Sequence, residues 1–148
     1  MDSFIDWWLV HELAQNGEPG HPQSSYMHKD KLKAGPVWDF DWGTFIPTSK
    51  GFYIANALYY GRLFQDELFI AKVKERWELL KVELKTIPIF IEEEKIKLSK
   101  TADLNIKLWP ISSRENGDET MSFDEAIERM KGAYETRWQT IDNMINNL

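Results

Sequence analysis

The chain of 148 residues contains no cysteine, so neither a disulfide framework nor a thiolate metal site can form. It has no apolar run near the ~20 residues that a membrane-spanning helix needs, and no transmembrane segment is predicted. It also has no basic stripe, and its net charge of −6 does not suit the neutralisation of phosphates. A general nucleic-acid binder is therefore excluded, and no nucleic-acid partner is expected.

Apolar and aromatic residues are abundant instead. Hydrophobic residues make up 43% of the chain and aromatic residues 14%, which excludes a disordered protein. The length suits one domain over residues 1–148. Seven tryptophans are many for this size, and such residues serve either cores or ligand surfaces.

The pattern of apolar residues predicts a mainly α fold with one small β-hairpin. The hairpin is expected to have strands at 24–29 and 34–40, joined by a turn at 30–33. The first helix is predicted at 4–15, with Ser3 as its N-cap and Asp6 in capping-box position. A second helix is predicted at 52–64, with an interruption at Gly61, and a third begins after its cap, Asp66. A fourth is predicted to start at Pro88 and run to about Lys107. The last begins at the capping box of Ser122 and Glu125 and runs to the end of the chain.

The most informative tract is 35–43, where two carboxylates stand two residues apart among large aromatic residues. If this tract is an extended strand end, Asp39 and Asp41 share one face, and Trp38, Phe40 and Trp42 cover the other. Two carboxylates held together in an aromatic setting indicate a shared cation such as Mg²⁺ or Ca²⁺. The alternative is a strand end whose carboxylates accept hydrogen bonds from the backbone or from arginine.

The order of elements resembles the C-terminal portion of the CotH kinase family, which is named for the spore coat protein H of spore-forming bacteria. The resemblance covers essentially the whole chain, and its most specific part is the run Trp38-Asp39-Phe40-Asp41. The matching segments are SFIDWWLVHELAQN, SSYMHKD, GPVWDFDWG, LFQDELFIAKVKERW and DLNIKLWP.

The resemblance implies half of an atypical protein-kinase-like fold, similar to its C-terminal lobe, that uses Mg²⁺ and ATP to phosphorylate protein Ser or Thr. Asp39 and Asp41 match the metal-binding aspartates of the family, and Asp41 better matches the main metal ligand of kinases. Within the segment that matches the catalytic loop, 16–24, Glu18 stands where an Asp is expected. Gln23 or Ser24 stands where the Asn that ligates a second metal is expected. The implied catalytic residues are thus Glu18 and Asp41, and the implied cofactor-binding residues are Gln23 and Ser24.

These departures, and what the sequence does not contain, predict a weak or inactive site. Glu18 carries one more methylene than Asp, and a misplacement of about 1 Å can cost ~10²-fold in rate. No Gly-rich phosphate loop occurs in the sequence. We therefore expect a fragment of a larger CotH-like kinase domain whose nucleotide-binding N-terminal lobe is its missing partner. By themselves these residues are expected to hold neither Mg²⁺ nor ATP tightly and to be inactive.

Two other functions stay open. A pseudokinase, or a cell-surface adhesion or glycan-binding module, would use the Trp-rich loop from 35 to 52 for stacking on sugars. A metal-dependent glycosyltransferase is disfavoured because no βαβ alternation is present. The resemblance favours an extracellular or cell-surface location in a bacterium, with an unidentified protein substrate or surface ligand.

The three histidines do not predict a zinc site, because their spacing matches no zinc-ligand motif. His11 is expected to be a hydrogen-bonded core residue, and His21 an exposed loop residue. No role is assigned to His28.

Overall fold

The computed structural model describes residues 1–16, 30–40, 43–46, 51–57, 59–110 and 121–148, together with the backbone of 25–28. The described elements, in chain order, are α1 (Asp2–Ala14), β1 (Ser25–His28), β2 (Lys31–Ala34), α2 (Tyr60–Leu63), α3 (Glu67–Leu84), α4 (Ile87–Leu108) and α5 (Phe123–Asn146). The prediction of a mainly helical fold is confirmed. None of the described helices is long and apolar enough to cross a membrane.

The hairpin is tighter than the sequence pattern predicts. β1 and β2 pair antiparallel, with Ser25 opposite Ala34 and His28 opposite Lys31, so only two residues connect them. The predicted turn at 30–33 and strand at 34–40 are therefore wrong. The second strand forms directly after the connection and ends at Ala34. Pro36, two residues later, has no N–H to donate to a longer ladder.

The N-terminus of α1 also differs from its prediction. The helix begins one residue after Met1, and no side chain caps it, so the predicted cap at Ser3 and capping box at Asp6 are wrong. The Asp6 carboxylate instead accepts two hydrogen bonds from Arg76 of α3, at 2.7 and 3.0 Å. A two-pronged arginine bond outcompetes a local backbone contact for the carboxylate.

α3 and α5 follow the predicted pattern closely. On α3, the Asp66 side chain accepts a hydrogen bond from the N–H of Leu68 at 2.9 Å and caps the helix as predicted. The predicted capping box of Ser122 and Glu125 begins α5. The core side chains of these two helices are buried at helical spacing: Phe69, Val73 and Trp77 on α3, and Tyr134, Ile141 and Ile145 on α5. Both join the apolar face of α1 in one core.

The segment at 52–64 contradicts its prediction, because only Tyr60–Leu63 is helical there. The carboxylate of Glu12 accepts hydrogen bonds from the backbone N–H groups of Tyr53 and Ile54, both at 2.8 Å. These two N–H groups are therefore bonded to a side chain of α1 rather than to carbonyl groups of a helix. Gly61 lies inside the short helix and does not interrupt it.

A fully buried ion pair joins α1 to α5. The Nη2 atom of Arg137 donates to the carboxylate of Glu12 at 2.6 Å, and both side chains have no exposed surface. Arg137 also donates from Nε to the Glu12 carbonyl at 2.7 Å and from Nη1 to the Gly51 carbonyl at 3.0 Å. Its guanidinium lies 4.8 Å from the centre of the Tyr53 ring. One arginine thereby fixes α1, α5 and the irregular segment before α2.

The pair is costly to desolvate and costly to break. Burial raises the pKa of the Glu12 carboxyl, while the N–H groups of Tyr53 and Ile54 and the Arg137 guanidinium oppose that rise. Burial likewise lowers the pKa of Arg137, and the Glu12 charge opposes it. Loss of either partner would leave one uncompensated charge in the core.

Replacement of Arg137 by Met should lower the free energy of unfolding by about 3–5 kcal/mol, because it leaves the Glu12 carboxylate buried without its cation. Urea unfolding at pH 7 measures this loss. The matched control is Arg76→Met, which breaks the part-exposed pair with Asp6 and should cost no more than about 1 kcal/mol. Equal losses in the two variants would contradict the central role of the buried pair.

Candidate functional site

α1 and the residue that follows its C-cap contact the aromatic, acidic tract and its flanks at four points. Two of these contacts are made with Asp39 and Phe40, and the other two with residues on either side of them. The contacts are Trp7 Nε1 to the Pro36 carbonyl at 3.2 Å, the His11 ring on the Phe40 ring at 5.1 Å between centres, Asn16 Nδ2 to the Asp39 carbonyl at 2.7 Å, and Phe45 N–H to the Ala14 carbonyl at 3.0 Å. The tract is thus positioned by α1 rather than by the hairpin.

Unusual backbone conformations gather at the same junction. Gln15, Asp39 and Phe45 are the non-glycine residues with positive φ in the described chain, at 59°, 66° and 51°. Gln15 ends α1, and the other two are hydrogen-bonded through their backbones to its neighbours Asn16 and Ala14. Such conformations cost free energy and are concentrated at functional sites. The geometry therefore marks this junction independently of any sequence motif.

Asp39 is exposed, and it lies five residues after the end of β2, so the strand predicted at 34–40 does not carry it. Because its φ is 66°, Asp39 does not have the extended backbone on which the predicted shared face of Asp39 and Asp41 depends. The hydrogen bond from Asn16 brings the end of α1 and the acidic tract together.

The other site residues lie outside the described residues. These are Glu18, Gln23, Ser24 and Asp41, and with them His21 and the predicted catalytic-loop segment beyond Asn16. Their roles stay predictions. Within the described part of the chain, no group of three or more His, Asp or Glu side chains could hold a metal ion.

His11 is buried as expected, but it lacks the expected hydrogen bond. Neither ring nitrogen has a partner among the described residues, and the ring is enclosed between Trp7, at 4.2 Å, and Phe40. Burial lowers the pKa of His11 to about 4. The ring therefore acts as an aromatic support for Phe40, the residue between the two candidate metal-binding aspartates. The four-residue spacing of Trp7 and His11 on one helix was the available sequence signal.

Comparison with known proteins adds no identification. No protein-family model, curated protein or solved structure matches the chain. The candidate site is therefore defined by its residues and their geometry.

The buried His11 should make the protein less stable as the pH falls. The unfolded chain takes up a proton below about pH 6.5, whereas the folded protein resists it until about pH 4. Stability should thus decline through this window, by at most about 3 kcal/mol. Denaturant unfolding at several pH values between 7 and 4 measures the decline.

The matched variant is His11→Phe, which keeps an aromatic ring against Phe40 and cannot take up a proton. Its stability should fall much less across the same window. Its NMR spectrum also assigns the His11 signal, which should titrate near pH 4 in the wild type. A His11 signal that titrates at pH 6 or above would refute the explanation.

Proposed function

We propose that this chain forms the catalytic-loop half of a Mg·ATP-dependent protein Ser/Thr phosphotransferase, the C-terminal lobe of a CotH-like kinase. One observation carries the proposal: the 2.7 Å hydrogen bond from Asn16 to the Asp39 carbonyl. It joins the first residue of the segment that resembles a catalytic loop to the tract that resembles a metal-binding loop. Phosphoryl transfer needs these two elements side by side, because the base and the metal act on the same phosphate.

The proposed roles follow the chemistry of each group. Asp39 and Asp41 would hold Mg²⁺, which accepts one or two carboxylates and takes its remaining ligands from phosphate oxygens and water. Glu18 would accept the proton of the substrate hydroxyl, and Gln23 or Ser24 would contact the nucleotide-bound metal. His11 and Asn16 would support the tract through Phe40 and the Asp39 carbonyl. The longer side chains of Glu18 and Gln23 would make the transfer slow.

The proposal assigns only half of the machinery to these residues. Catalysis of phosphoryl transfer depends on positioning and charge neutralisation of the phosphates. The sequence has no Gly-rich loop to supply that clamp. The 148 residues alone should therefore bind a divalent cation weakly and show little ATP affinity and no kinase activity. The resemblance further suggests a bacterial surface protein whose full-length form phosphorylates proteins.

Replacement of Asp39 or Asp41 by Asn should weaken Mn²⁺ binding by about tenfold or more, because each removes one anionic ligand. Asn is chosen because it tolerates the left-handed backbone at position 39 better than Ala. Calorimetry with MnCl₂ and with Mg·ATP measures both ligands. The control Asp103→Asn removes an exposed carboxylate of α4 and should leave Mn²⁺ binding unchanged.

Two outcomes would contradict the assignment. Equal Mn²⁺ binding by the wild type and both tract variants would make the aspartates structural. Micromolar Mg·ATP binding by these residues alone would refute the half-site interpretation.

One observation favours the second candidate, a non-catalytic glycan-binding module. Trp38 is 53% exposed and its neighbour Val37 is 51% exposed, next to the buried contacts of the tract. An exposed tryptophan on a fixed loop offers a face for stacking on a sugar ring.

If this second function is correct, Trp38→Ala should abolish binding to an oligosaccharide array, because it removes the stacking face. The control Trp109→Ala removes a more exposed indole at the end of α4, 73% exposed, and should not affect binding. An array on which the wild type binds no glycan would eliminate the candidate.

A further inference from the structure

α4 carries an exposed stripe opposite the side that packs on α5. The stripe, here called the α4 seam, consists of Ile89, Glu93, Ile96, Lys100 and Leu104, spaced by three or four residues so that one helical face carries them all. Its apolar members are exposed by 63%, 71% and 60%.

The opposite side of α4 is occupied by α5. Glu92 accepts a hydrogen bond from Lys131 at 2.8 Å. The Nζ atom of Lys95 lies 3.2 Å from a carboxylate oxygen of Asp124 and 3.6 Å from one of Glu128. Because these contacts hold one side of α4 against α5, the seam on the other side faces the solvent. No residue of α4 is fully buried, which distinguishes this helix from α1, α3 and α5.

The charges of the seam make no ion pair within the described part of the chain. Neighbouring α4 residues do pair, as Lys97 does with Glu94 at 2.5 Å. Glu93 and Lys100 are seven residues apart, too far along the helix to pair with each other. Both stand between apolar residues of the seam, where an external partner would meet them.

The order of the seam is symmetric about a point next to Ile96. A reversed copy of the helix places Leu104 opposite Ile89, Lys100 opposite Glu93, and Ile96 close to its own counterpart. A two-fold interface requires this self-complementarity, because each pair of contacting residues occurs twice, once on either side of the axis. We propose that two copies of this chain associate through the α4 seam, with the helices antiparallel about a two-fold axis near Ile96.

Charge complementarity favours a second copy over other occupants. The two charges of the seam have opposite signs: Glu93 lies in the first half of α4 and Lys100 in the second. The flanking charges Glu92, Lys95 and Lys97 are paired with other side chains of the same chain. A partner of one charge sign, such as an anionic membrane or a basic peptide, would meet like charge at one end. An antiparallel copy meets opposite charge at both ends.

The contact should be weak. It offers three apolar side chains per copy over about 22 Å of helix, less than a standard stable interface supplies. The loss of translational and rotational freedom offsets much of that gain. We expect a dissociation constant on the order of 10–100 μM. It should rise in high salt, because salt screens the exposed charge pairs of the dimer.

Charge reversal tests the arrangement without disturbing the core. Glu93→Lys creates two lysine–lysine contacts in the dimer and Lys100→Glu creates two glutamate–glutamate contacts, so each variant alone should associate at least tenfold more weakly. An equimolar mixture of the two should associate as well as the wild type, because every contact is again of opposite sign. Sedimentation velocity from about 5 to 500 μM measures all of these species.

The control Glu135→Lys makes the same charge change at an exposed position of α5 and should leave association unchanged. Far-ultraviolet circular dichroism confirms that each variant is folded. A wild type that stays monomeric throughout the range would overturn the proposal. So would reversal variants that associate normally, or a mixture that associates no better than its components.

Discussion

The buried pair of Glu12 and Arg137 is the interaction on which the rest of the structure depends. Its partners stand 125 residues apart, and they join the last turn of α1 to the middle of α5. Neither side chain has exposed surface. The Glu12 carboxylate also binds the backbone at 53 and 54, and Arg137 binds the Gly51 carbonyl. Because both charges are desolvated, the core tolerates only the arrangement in which all of these groups meet. The pair therefore fixes the depth and direction of α1.

The candidate site follows from the position of α1. Three of its side chains or their immediate neighbours hold the acidic tract: Trp7 at Pro36, His11 at Phe40 and Asn16 at Asp39. The His11 nitrogens, which have no partner among the described residues, and the positive φ angles at 15, 39 and 45 are local costs. A core that already holds α1 rigidly can support those costs, and a preorganised metal-binding tract would need such support.

Sequence reasoning succeeded where local signals decide the structure. The caps at Asp66 and Ser122 and the helical spacing of Phe69, Val73 and Trp77 are local, and α3 and α5 appear as predicted. It failed where a distant partner decides. The helix predicted at 52–64 loses its first residues to the Glu12 carboxylate, and Asp6 serves Arg76 rather than a helix cap. For the site, the sequence marked the acidic tract, but the positive φ of Asp39 and its hydrogen bond from Asn16, 23 residues away, could not be predicted from local signals.

We propose that a divalent cation binds where α1 meets the acidic tract. Paramagnetic broadening of NMR signals by substoichiometric Mn²⁺ tests it most directly, because the effect falls steeply with distance from the metal. The side-chain amide of Asn16 and the rings of His11 and Phe40 should broaden first, while the indole of Trp109 at the end of α4 should stay sharp. Broadening centred on the glutamates of α4, or spread evenly over the surface, would contradict this proposal.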